Sequence, residues 1–114
     1  PAAIGPYSQG VKFGDMLITS GQLPIDKNGE MPEGVKEQTR QSLNNVKTIL
    51  EAEGYSLEDV IKTLVFLDNM EDFSIMNEVY SEFFKGDYPA RSAVEVAKLP
   101  KDAKVEIEVI AVKK

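Results

Sequence analysis

Val60-Ile61-Lys62-Thr63-Leu64-Val65-Phe66-Leu67 is the stretch that decides how the rest of the chain is read. β-Branched and aromatic residues dominate it, which predicts a strand. Its apolar side chains fall on both sides: Ile61, Val65 and Leu67 point one way, Leu64 and Phe66 the other. A strand that is apolar on both faces needs cover on both, at least at its middle. Residues 71–85 follow as an amphipathic helix with a stripe of Phe73, Met76, Tyr80, Phe83 and Phe84, a cap from Asp68-Asn69 and Gly86 beyond its end. Arg91 to Lys98 reads as a strand, Leu99-Pro100-Lys101-Asp102 as a turn, and Lys104 to Val112 as the last strand. There Val105, Ile107, Val109 and Ala111 share one face, and Glu106, Glu108 and Ile110 share the other.

The first half completes the pattern. Val11 to Phe13 and Met16 to Ser20 form a hairpin about Gly14-Asp15, and Ser20-Gly21-Gln22-Leu23-Pro24 ends its second strand. Asp26-Lys27-Asn28-Gly29 supplies loop chemistry. Residues 34–53 carry Val35, Thr39, Leu43, Val46 and Leu50 at helical spacing, widened by Ser42 and Ile49, with Lys36, Glu37, Arg40, Lys47 and Glu51 opposite. Gly54 ends this helix, and Ser56 caps a single turn through Asp59. The order is β-β-α-β-α-β-β with no internal repeat or linker, an α+β two-layer arrangement in which both helices cover one sheet face. The other face would expose Leu64, Phe66 and Ile110 beside Glu106 and Glu108, so the sequence predicts that further copies of the chain cover it. Carboxylates beside such apolar walls are expected to have shifted pKa values.

Composition restricts the chemistry. The 114 residues suit one domain and contain no histidine, cysteine or tryptophan. That removes an imidazole base, a Ser-His-Asp triad, a thiolate nucleophile, a disulfide and the usual zinc and iron–sulfur ligand sets. No Gly-rich phosphate loop is present. Lys and Arg number 13 against 19 Asp and Glu, a net charge of -6, which opposes binding to a polyanion. The nearest thing to a basic run is Lys113-Lys114. No apolar stretch reaches the roughly 20 residues of a membrane span, and no secretory signal is visible, so the expected location is the cytoplasm.

A few residues could carry chemistry, each with a plainer alternative. Glu106 and Glu108 are a carboxylate pair on one strand face; the plainer reading is a solvated face paired with Lys98 or Lys104. Glu71-Asp72 opens a helix, where the helix dipole explains it. Arg91 is either a surface charge or a fork for a substrate carboxylate. Tyr7, in Gly5-Pro6-Tyr7-Ser8-Gln9, is either an aromatic plug or a pocket wall with a polar tip. Ser20-Gly21 is a turn or a place where backbone approaches a ligand closely. Asn77 is an ordinary polar helix position or a pocket residue.

Several segments taken together resemble the RidA/YjgF family of reactive-intermediate deaminases. They are Ala2-Ala3-Ile4-Gly5-Pro6-Tyr7-Ser8-Gln9-Gly10, Ile18-Thr19-Ser20-Gly21-Gln22-Leu23-Pro24 and Gln41-Ser42-Leu43-Asn44-Asn45-Val46. Ala90-Arg91-Ser92-Ala93-Val94-Glu95-Val96 and Leu99-Pro100-Lys101-Asp102 follow, leading into Val105-Glu106-Ile107-Glu108. The resemblance runs in order over nearly the whole chain. It implies a single domain over residues 1–114 with a chorismate-mutase-like fold: a mixed sheet with two helices on one face. It also implies a homotrimer whose three sheets form a central barrel, with one site in each intersubunit cleft. Members usually carry about ten further residues ahead of this start, often forming an edge strand of ordinary length, so the N-terminal edge is expected to be incomplete.

The implied activity is hydrolysis of 2-iminobutanoate, 2-iminopropanoate and their enamines, which pyridoxal-phosphate dehydratases release, to 2-oxo acids and ammonia, with no cofactor or metal. By the same resemblance Arg91 binds the substrate carboxylate and Glu106 positions or activates the attacking water. Tyr7, Ser20, Gly21 and Asn77 match pocket positions, and the backbone of Ala93 sits against the substrate nitrogen. Many members have Cys at the Ala93 position, so any role for a thiol is lost here. Two other readings stay open: a ribonuclease or translation inhibitor, and a non-enzymatic metabolite-binding or chaperone-like trimer.

Overall fold

The computed structural model describes residues 2–113. Pro1 and Lys114, the second residue of the C-terminal lysine pair, lie outside the described residues. Five strands, β1 (Gly10–Phe13), β2 (Met16–Thr19), β3 (Val60–Leu67), β4 (Ala90–Glu95) and β5 (Val105–Val112), form one sheet in the order β1-β2-β5-β3-β4. Neighbours are antiparallel except β3 and β4, which are parallel. Parallel neighbours need a crossover, and α2 (Phe73–Phe83) supplies it, while α1 (Val35–Ala52) joins β2 to β3. The expected α+β class is therefore observed, with a mixed sheet and both long helices in one layer.

The core lies between the helices and one sheet face. Leu43, Val46 and Leu50 of α1 and Met76 and Tyr80 of α2 pack against Leu17, Val65, Leu67, Val105, Ile107, Val109 and Ala111. The α1 stripe is thus as its spacing predicts. Its end is a Schellman motif: Gly54 adopts φ 81°, its N–H donates to the Glu51 carbonyl (3.1 Å), and the Tyr55 N–H donates to the Leu50 carbonyl (2.8 Å). The turn over Leu57–Asp59 follows, closed by the Ser56 N–H donating to the Asp59 carboxylate (2.9 Å). α2 is shorter than the pattern suggests. A 3-10 turn over Met70–Asp72 precedes it, with the Asn69 side chain accepting from the Glu71 N–H (2.9 Å), and Phe84 is already extended.

Two expectations need correction. Ile61 does not share a face with Val65 and Leu67: it is 47% exposed, and Val60 is buried instead. Between Val60, opposite Ala111, and Lys62, opposite Ile110, β3 spends one residue more than β5, and the bulge turns Ile61 outward. Strand β4 ends at Glu95 rather than Lys98, although the Val96 N–H still donates to the Leu67 carbonyl (2.8 Å). The double-sided reading of β3 otherwise holds. Leu64 and Phe66 are only half-buried on the face away from the helices. By register they stand there with Val11, Phe13, Ile18, Val94 and Ile110. Phe13 is 80% exposed.

Candidate active site

The first cleft forms where β2 leaves the sheet. Ile18 lies opposite Ile110, and Gln22 bridges to Ile107 through reciprocal backbone bonds of 2.8 and 3.3 Å. Thr19, Ser20 and Gly21 therefore span what β5 covers with Glu108 and Val109 alone, a second bulge. The Thr19 hydroxyl fills the broken ladder by accepting from the Val109 N–H (3.1 Å). Helix α1 holds the far side: the Ser42 hydroxyl donates to the Gln22 carbonyl (2.7 Å), and the Asn45 amide donates to the Leu23 (3.0 Å) and Ile25 (2.9 Å) carbonyls. These buried bonds fix the loop without any side chain from position 21.

Position 21 has no room for one while the Glu106 side chain stays where it is. A β-carbon built on Gly21 would collide with the Glu106 carboxylate, lying 2.7 Å from its Cδ. A side chain here would push the Glu106 carboxylate aside, so the constraint on this glycine is a close approach to that flexible group rather than a positive φ. Glu106 projects from β5 into an open cleft of about 430 Å³ shared with Tyr7, Ser20, Gly21, Leu23 and Pro100. Tyr7 forms its outer wall; its phenol oxygen accepts from the Ile4 N–H (3.3 Å), and the Ser20 hydroxyl donates to the Ser8 carbonyl (2.5 Å). Burial, and then the like charge of Glu108, push the Glu106 carboxyl above its ordinary value. The expected lysine partners are not there: among the described residues neither glutamate forms an ion pair, and the Lys98 amino group sits 3.4 Å from Asp102 instead.

The second cleft, about 440 Å³, lies beside α2 and contains Asn77, Tyr80, Ser81, Tyr88, Pro89 and Arg91. Arg91 Nη1 donates to Asn77 Oδ1 (2.7 Å), and the guanidinium carbon stands 4.8 Å from the Tyr80 ring centre and 5.4 Å from that of Phe73. Among the described residues no acid stands within ion-pair distance of Arg91. A guanidinium has five N–H donors, so most of them remain to receive an anion. The sequence reasoning that singled out Arg91 and Asn77 missed Tyr80 and Phe73, which it read only as core; an aromatic pair on the helix preceding an arginine-headed parallel strand is the signal that could have found them.

The two clefts do not meet within one chain. Arg91 is in register with Thr63, and Thr63 with Val109, which places Arg91 on the helix-covered face; Ala93, opposite Val65, follows it there. Glu106 is in register with Phe66, and Phe66 with Val94, on the uncovered face. Tyr7, Ser20, Gly21 and Glu106 are thus brought together, Asn77 and Arg91 are brought together, and the sheet separates the groups. Among the described residues no cluster of three or more Asp or Glu is placed to hold a metal ion. None of the described helices is long and apolar enough to cross a membrane.

The comparisons with known proteins bear on this arrangement. The family model described as Endoribonuclease L-PSP matches residues 1–113. The chain belongs to that family, the RidA/YjgF family. Among its relatives, the chain is 59% identical to a RutC family protein of Pyrococcus horikoshii over 99% of this chain and 91% of that one. It is 55% identical to the 2-iminobutanoate/2-iminopropanoate deaminase of Escherichia coli strain K12, over 100% and 92% respectively. The crystal structure of Escherichia coli TdcF with bound serine has a TM-score of 0.97 and 52% identity, covering 100% of this chain and 93% of that one. The RidA/YjgF fold expected from the sequence is therefore the fold observed.

Proposed function

We propose that this RidA/YjgF chain is a cofactor-independent deaminase that hydrolyses small 2-imino acids, and the enamines in equilibrium with them, to 2-oxo acids and ammonia. The observation that carries the reading is the guanidinium of Arg91, held in a cleft by Asn77 and two aromatic rings with no acid among the described residues at ion-pair distance. Such a group is built to take a carboxylate bidentately. The active site is proposed to assemble between two copies, Arg91, Asn77 and the Ala93 backbone coming from one and Tyr7, Ser20, Gly21 and Glu106 from the next. A homotrimer closing its uncovered sheet faces into a barrel supplies that pairing and covers Phe13, Ile18 and Val94.

The chemistry asks little of the protein. An imine carbon is already electrophilic, so holding the substrate and directing one water achieve most of the task. Glu106 takes a proton as that water adds to C2, giving a carbinolamine, and returns it to the nitrogen. The hydroxyl proton then passes by the same carboxylate to the nitrogen as the C–N bond breaks and the C=O forms, so ammonia leaves and Glu106 is ionised again. Gly21 keeps the Glu106 carboxylate where this exchange occurs. Gly21→Ala is expected to lower kcat about 100-fold, the scale of a misplacement of about 1 Å, with unchanged far-ultraviolet circular dichroism; a variant retaining half the wild-type kcat would show that the close packing is not needed.

The reading is tested by generating the imine with a threonine dehydratase and following release of the 2-oxo acid. Protein that leaves this release at its uncatalysed rate is not the proposed deaminase. Molar mass in solution checks the shared site: three times the 12.6 kDa chain is expected, and a monomer would remove it. RNA is a poor alternative substrate, since acids outnumber bases 19 to 13 and Glu106 and Glu108 both stand on the uncovered face. The reading places the protein in the cytoplasm beside the dehydratases that release its substrates.

A further inference from the structure

We infer that Tyr80 is a positioning residue for Arg91, a fixed aromatic platform that presents the guanidinium to the substrate carboxylate. The inference rests on the reading of Arg91 as that anchor and extends it to a residue that takes no part in the proton transfers. An arginine at the head of an edge strand has several freely rotating side-chain bonds, and each must be frozen when a carboxylate binds. The structure freezes them beforehand. Tyr80 is 4% exposed, and its phenol and the Thr63 hydroxyl share a buried hydrogen bond of 2.8 Å. Its ring also packs against that of Phe84, with centroids 4.7 Å apart. Thr63 is the residue in register with Arg91 on the neighbouring strand. The hydroxyl that fixes the platform therefore comes from directly beside the side chain the platform supports.

The guanidinium lies over this ring at 4.8 Å, within the range of a cation–π contact. Phe73 flanks it at 5.4 Å, and Asn77 takes one donor at Nη1. Aromatic faces attract the cation without consuming its N–H groups, so the fork is oriented and its remaining donors stay available. An acidic partner in place of Tyr80 would hold the arginine equally well and would quench it.

The test uses the full chain in the coupled assay, comparing Tyr80→Leu, Tyr80→Phe and Arg91→Ala. Loss of the ring face in Tyr80→Leu is expected to raise KM about tenfold, the scale of one partly desolvated cation–π contact, with kcat within about threefold of wild type. Tyr80→Phe keeps the face and is expected to raise KM less than about threefold. An unchanged KM in Tyr80→Leu, or equal damage from Tyr80→Phe, overturns the platform. If Tyr80→Leu does not fold, Tyr80→Met decides: a flexible apolar side chain refills the site without an aromatic face, and a KM within about threefold of wild type overturns the inference. The reference variant separates the two levels. Arg91→Ala with wild-type kinetics refutes the anchor itself, whereas a crippled Arg91→Ala beside an unaffected Tyr80→Leu refutes only the platform.

Discussion

Replacing Arg91 with alanine is expected to lower kcat/KM for 2-imino acids about 100- to 1,000-fold, the scale on which removing one partner of a desolvated, hydrogen-bonded charge pair weakens binding. Most of that loss should appear in KM. Among the described residues lining its cleft the guanidinium is the one cation, and Asn77 and the two rings already hold it in place, so little would compensate for it. Lysine should rescue poorly, because a point charge cannot grip both carboxylate oxygens or lie flat on the Tyr80 ring. Steady-state kinetics in the dehydratase-coupled assay measure the effect, and an alanine variant with wild-type kcat/KM would refute the anchor. The variant should fold normally: Arg91 makes no ion pair among the described residues, and its loss strands only the amide oxygen of a half-buried asparagine.

Glu106→Gln is expected to lower kcat about 100- to 10,000-fold, the usual contribution of a positioned proton-transfer group, with KM little changed. The wild-type pH profile should carry its signature. Glu106 must be ionised to receive the water's proton, so kcat falls as pH drops through the folded-state pKa. Burial and Glu108 hold that pKa above the ordinary value, so the acid limb should lie at higher pH than a solvent-exposed glutamate would give. Stability moves the opposite way. The folded chain binds this proton more tightly than the unfolded chain, so ionisation destabilises the fold. That cost is absent below the unfolded-state pKa and grows as pH rises through the window between the two values. Glu106→Gln should therefore raise Tm at neutral pH while removing activity. A variant that keeps kcat, or a profile with no acid limb, would exclude Glu106 as the proton carrier.

Much of this was legible in the chain. The periodicities of Val35 to Leu50 and of Val105 to Ala111 mark surfaces that must be buried, and burial follows from them directly. The bulges were not legible, because an extra residue in one strand is defined only against its partner's register. Ile61 is apolar and sits where the alternation predicts burial, yet the register with Ala111 and Ile110 turns it outward. Ser20-Gly21 reads as a turn or a close backbone approach to a ligand, but the group that approaches Gly21, a carboxylate 85 positions further on in the chain, is not visible locally. Arg91 and Glu106 were recognisable as candidates by resemblance, but nothing local shows that they lie on opposite faces; that depends on the strand order and on β4 running parallel to β3. Tyr80 was hidden for a simpler reason: a buried aromatic on a helical stripe looks the same whether it only fills the core or also supports a cation.

The separation of Arg91 and Glu106 by the thickness of the sheet has a genetic consequence. If each site draws its arginine from one subunit and its glutamate from the next, two dead alleles complement each other. Chains bearing Arg91→Ala and chains bearing Glu106→Gln, refolded or expressed together, would form rings in which roughly a quarter of the interfaces pair an intact arginine with an intact glutamate, as random assembly around a cyclic axis requires. A cell carrying both defective copies would then be protected where either copy alone fails, and the defect would pass as recessive in the mixture.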